Sequence, residues 1–133
     1  MLSDNKMKYK KAGDIQEKLQ DVVEKLGLKH VQLDNVVCIR SLGSKSRGTI
    51  ARCHGLGKVM QLGLNRKGFY VLEFISERFD RLDDEEKIKI IIHEMMHIPK
   101  CFGGGFKHHD FVCSKNINRF YQEYRKRRET KVE

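Results

Sequence analysis

The residues of this chain best suited to chemistry are crowded into one short stretch: His93-Glu94-Met95-Met96-His97, with His108 and His109 a little further on. Four of the six histidines fall between positions 93 and 109. On a helix, imidazoles at i and i+4 leave one face a turn apart and can reach a single metal ion together. Glu94 sits one residue along, near enough to address a water at that ion without being a ligand itself. A catalytic zinc site takes three protein ligands and keeps one position open. Gly103, Gly104 and Gly105 form a loop, and a histidine arriving from beyond it, His108 or His109, supplies the third ligand. The donor set is chemically complete.

Such a set needs a helix beneath residues 93–97 and a turn after it, and both are legible. Ile88, Ile91, Ile92 and Met95 recur at helical spacing. Asp83 caps that helix, with Glu86 three residues on, and the acidic first turn suits the helix dipole. Pro99 limits how far the helix can run. Upstream, Ile15, Leu19, Val22, Val23 and Leu26 predict a first helix with Gly27 at its stop. From Val31 the period changes. Val31 and Leu33 with Val36 to Ile39, then Thr49 to His54, Lys58 to Leu64 and Phe69 to Ile75, read as four strands punctuated by glycines, the pattern of antiparallel hairpins. A last helix is predicted from about Asp110 to Arg128, with Phe111, Ile117, Phe120, Tyr121 and Tyr124 inward. The expected architecture is α+β: a small antiparallel sheet packed on an N-terminal helix, the histidine-bearing helix and a C-terminal helix.

With 133 residues, the chain has the length of one domain, taken here as residues 1–133. Apolar residues make up 39% and charged ones 34%, too apolar for a disordered chain and too polar for a membrane protein. No apolar run is long enough to span a bilayer, and the Lys-rich N-terminus has no apolar stretch behind it, so a cytoplasmic protein without a secretory signal is expected. The four cysteines include no C-x-x-C pair and are read as packed, reduced thiols, Cys101 in its loop among them. The net charge of +9 is uneven: residues 31–70 carry seven Lys/Arg against one acidic residue, and residues 115–133 seven against three. Non-specific contact with DNA or RNA backbone is consistent with that pattern.

The segment "IIIHEMMHIPKCFGGGFKHHDF" resembles the small zinc metallopeptidases of archaea and phages, whose pattern is HExxHIPK, a Phe, two glycines and a later His. These are related to the SprT-like zincins, and "FYVLEFISERFDRLDDEEKIKI" is similar to the strand, short connection and active-site helix of SprT-like proteins. The resemblance covers about residues 69–120. It implies a zincin-like, minimal metalloprotease fold, zinc on His93, His97 and a third His, and Glu94 as the general base. Counted without gaps from the HIPK segment, the family's later His falls on His109. The SprT-like spacing of a His three residues before an aromatic selects His108 with Phe111 as the alternative. The C-terminal recruitment modules of larger SprT-like proteins have no counterpart here.

The implied reaction is hydrolysis of peptide bonds in a protein or peptide substrate, with DNA-associated proteins as candidate targets. His108, Tyr121 and Arg119 are candidate oxyanion donors. The strand Phe69 to Ile75 is a candidate edge for pairing with an extended substrate. Two other classes fit in part. Small metal-dependent ribonucleases also carry three His, but with a gap about half that between His97 and the later pair. A non-catalytic nucleic-acid-binding domain with a structural metal would have no use for Glu94.

Overall fold

A computed structural model describes residues 6–130, with the backbone alone of Thr130; the domain taken as 1–133 thus reaches at both ends into residues outside those described. In chain order the elements are β1 (Lys8–Lys11), α1 (Gly13–Leu26), β2 (Val36–Leu42), β3 (Ala51–Gly55), α2 (Lys58–Leu64), β4 (Tyr70–Ile75), α3 (Ser76–Phe79), α4 (Asp84–Met96) and α5 (Ser114–Thr130). A 3-10 turn over Leu33–Asn35 precedes β2.

The α+β class is as expected, but the sheet is mixed. Its order is β1-β2-β4-β3. β2 pairs antiparallel with β1 and parallel with β4, while β3 pairs antiparallel with β4. The glycines between β2 and β4 therefore do not mark consecutive hairpins. The chain leaves β2, places β3 on the far side, and returns β4 into the gap between them. That inserted strand is Tyr70–Ile75, so the expected edge strand is central and largely buried, and the edge beside the histidine helix is β3 instead. The strand β1 had no clear sequence signal, since all four of its residues are exposed.

The segment expected as a strand from Lys58 to Leu64 is the helix α2. Gly57 stands at its N-cap, and Asn65, in the left-handed region at φ 52°, closes it. Among the described residues no strand pairs with this segment, and the intrahelical bonds satisfy its backbone in place. α5 starts at Ser114 rather than Asp110. The Asn116 side chain donates to the Phe111 carbonyl at 2.7 Å, which keeps Phe111 in the preceding turn.

Burial fixes the rotation of α4. Ile88, Ile91, Ile92 and Met95 cluster with Ile15, Leu19 and Val22 of α1 and with Tyr70, Leu72 and Phe74 of β4. Each such side chain contributes about 1.5–3 kcal/mol when removed from water, so turning the helix away from this face is strongly disfavoured. His93 and His97 consequently stand outside the core, half-buried. The Asp83 carboxylate accepts from the Glu86 amide at 2.8 Å, as its position predicted, and the helix ends at Met96, just short of Pro99. All four cysteines are free thiols; Cys38 is buried, whereas Cys101 is exposed rather than packed. Among the described residues no helix is long and apolar enough to cross a membrane.

Candidate metal centre

The end of α4 faces an open cleft whose walls include Ala51, Arg52 and Cys53 of β3 on one side and Phe106 to His109 on the other. His97 is the hinge of this arrangement. Its Nδ1 donates to the Lys107 carbonyl at 2.7 Å, and the Lys107 amide donates back to the His97 carbonyl at 2.8 Å. The first bond leaves His97 Nε2 as the nitrogen with a free lone pair, the arrangement in which an outer partner orients a ligating imidazole. The second clips the incoming loop to the helix end. Two residues beyond the clip, His109 stands against the helix pair, its ring 4.9 Å from His97 and 5.6 Å from His93.

Among the described residues, His93, His97 and His109 form the one group of potential ligands whose donor atoms all lie within 4.8 Å of one another. An equilateral triangle of that edge has its centre about 2.8 Å from each corner, against a zinc–nitrogen bond of about 2.0–2.1 Å. The rings must draw in by about 0.7 Å to reach that length, and three imidazoles are a donor set suited to a divalent metal with one position left open. Desolvation first, then the neighbouring His97 and His109, lower the His93 pKa, a shift toward the neutral imidazole that ligation requires. His108 is in the cleft wall but outside this group.

Glu94 is buried, with its Oε2 4.0 Å from His93 Nε2. Burial pushes its carboxyl up to about 7, a value matched to proton exchange near neutrality. Cys53, on the facing strand, is pushed up to about 12 by burial and then by Glu94, so its thiol is neutral.

The loop that delivers His109 is anchored independently of the histidines. The Tyr70 hydroxyl donates to the Gly105 carbonyl at 2.7 Å and accepts from the Gly104 amide at 2.8 Å. Gly104 has φ 98°, and a Cβ there would lie 2.2 Å from the Leu56 carbonyl oxygen, so no other residue type fits.

Of the candidate oxyanion donors, only His108 reaches the cleft. Tyr121 is buried in the core, and Arg119 stacks on Phe120 of α5. Arg52, one of the basic residues of 31–70 read as a phosphate contact, stands in the cleft wall, 3.4 Å from the buried Glu73 carboxylate. Burial works to raise the Glu73 pKa, but the hydrogen bond from His54 and the Arg52 charge help hold it below its ordinary value. The pairing partner of Arg52 across β3 and β4 is Glu73 itself, a register that no local pattern announces. Elsewhere in the basic stretch of residues 31–70, the charges expected to contact nucleic-acid backbone are partly paired and partly exposed. Arg40 is held by Asp14 and Asp80, while Lys45 and Arg47 are exposed.

Three imidazoles and a buried carboxylate around an open cleft are the equipment of a metal-dependent hydrolase. The family model described as "putative phage metallopeptidase" matches residues 7–132, and the chain belongs to that family. No curated protein and no solved structure matches it.

Proposed function

We propose that the chain is a zinc-dependent peptidase of zincin-like, SprT-related architecture, a single domain in which His93, His97 and His109 hold the metal and Glu94 is the general base. The observation that carries this reading is the two-way clip between His97 and Lys107, which brings a third imidazole to the helix pair beside a buried carboxylate. Zinc in this donor set supplies Lewis acidity, lowering the pKa of water toward neutrality and polarising a peptide carbonyl. Glu94 takes the proton of the attacking water and passes it to the leaving amine. His108, at the cleft wall, is the one of the sequence-derived candidates placed to meet the developing oxyanion.

The free edge of β3 supports a way of presenting substrate. Leu56 donates to Phe69 and Ile75 to Ile50, so the ladder to β4 uses the even-numbered residues of β3. The backbone amides and carbonyls of Ala51 and Cys53 then turn to the open side, where an extended polypeptide can add as a further strand.

The test compares wild type with Glu94→Gln on a dye-quenched casein, with metal content measured by elemental analysis of protein purified without chelator. Retained zinc with turnover reduced to background is expected for Glu94→Gln. Full turnover in that variant eliminates the proposed base, and metal-free wild type that takes up no added zinc eliminates the centre.

A further inference from the structure

The helix α2 is built inside out. Val59 and Leu62 are 84% and 85% exposed, Met60 and Leu64 more than half so, and no residue of the helix is buried. What holds it to the body is polar: the Gln61 amide donates to the Leu56 carbonyl at 2.6 Å and to the Gly103 carbonyl at 2.9 Å. A surface helix ordinarily turns its apolar stripe toward the core. A cluster of apolar side chains displayed to solvent marks an interaction surface instead.

Two observations identify what the surface takes. The first is continuity with the cleft. β3 runs through Leu56 and Gly57 directly into α2, and Gln61 ties the helix to the glycine loop that carries Phe106, itself 45% exposed and part of the cleft wall. A strand added along the edge of β3 advances about 3.3 Å per residue, so within a few residues past Gly55 it reaches Phe106 and α2. The second is charge. Lys58 opens α2, Arg66 and Lys67 follow it, and no acidic residue occurs between Asp34 and Glu73.

We propose that α2 is a substrate-recruiting exosite that engages extended, unfolded polypeptide carrying apolar side chains interspersed with acidic ones, in register with the segment lying across the candidate metal centre. The proposal rests on the peptidase reading for its purpose, but its binding step needs neither metal nor turnover. An anionic lipid surface shares the apolar and basic chemistry, but it has no backbone to pair with β3.

The experiment uses the full chain with Glu94→Gln, which prevents turnover, and three fluorescein-labelled synthetic peptides of equal length followed by anisotropy. One alternates Leu/Val with Glu, one replaces the apolar residues by Ser and Gly, and one replaces Glu by Lys. The first is expected to bind at least ten-fold more tightly than either of the others. Val59→Ser/Leu62→Ser removes the preference over the Ser/Gly peptide while leaving far-UV circular dichroism unchanged, since both side chains are solvent-exposed. His93→Ala, which strips the metal, retains the preference. Equal affinity for the three peptides, or no effect of the double variant, overturns the exosite while leaving the metal centre intact. So does a dimer that the double variant dissociates in light scattering, or anionic phosphatidylserine vesicles that bind α2 in place of the peptide. Absence of zinc uptake with the peptide preference intact overturns the peptidase reading alone.

Discussion

Removing one oxygen atom from Tyr70 tests how the proposed third ligand is delivered. In Tyr70→Phe the ring stays, together with its edge contact to Phe102 at 4.9 Å between centroids. What is lost is the pair of hydrogen bonds to the Gly104 amide and the Gly105 carbonyl, at 2.8 and 2.7 Å. Tyr70 is fully buried, so both backbone groups lose a partner at a corner where water has little access. At about 1 kcal/mol for each orphaned group the substitution costs about 2 kcal/mol, the lower part of the expected range. If that cost falls wholly on ordering the loop before His109, zinc affinity weakens by up to about 30-fold, since every 1.4 kcal/mol is tenfold. Competition titration against a chromophoric chelator measures the change, and thermal unfolding of metal-free protein measures what is spread over the whole fold. Unaltered zinc affinity together with an unaltered melting temperature would refute the claim that Tyr70 holds this loop.

Outer-shell partners of zinc ligands typically cost 10–100-fold when removed, so His109→Ala should weaken zinc by about 100-fold or more, and His108→Ala by no more than about two-fold. Equal losses in the same chelator competition reverse or dissolve that assignment. Hydrogen bonding to Arg40 holds the Asp14 carboxyl down at about 2 from an ordinary 3.8. Its contribution is therefore complete above about pH 4 and is lost as pH falls toward 2. Asp14 is 63% exposed, and solvent screening cuts the nominal gain to about 1 kcal/mol; urea unfolding of Asp14→Asn should show that deficit at pH 6 and only a small remnant of it at pH 2. Any nucleic-acid contact through the loop after β2 rests on Lys45 and Arg47, because Arg40 is already paired. Their joint replacement by Ala should lower the log–log salt slope of DNA binding by about 2, and a wild-type protein that binds no DNA at low salt ends that line.

The histidine helix was legible in the linear chain because its determinants are local. Asp83 caps with Glu86 three residues away, four apolar residues repeat at the helical period, and His93 and His97 share a face wherever a helix forms. The first helix was legible for the same reason, down to its stop at Gly27. The sheet was not, since strand order depends on partners far apart in sequence. Glycine spacing looks alike whether β4 follows β3 at the edge or inserts beside β2, and only burial of Tyr70, Leu72 and Phe74 against the helices selects the second. α2 was misread because its apolar residues lie on no buried face, and periodicity reports structure only where one side is hidden from water. Counting along the loop could rank His109 above His108 but could not show which one meets the helix pair. That depends on the clip between His97 and Lys107 and on the Tyr70 anchor, contacts across ten and more than thirty residues. The histidines and their helical spacing were therefore determined by the sequence alone, whereas the convergence of the third imidazole, the burial of Glu94 and the identity of the open edge were decided by tertiary packing.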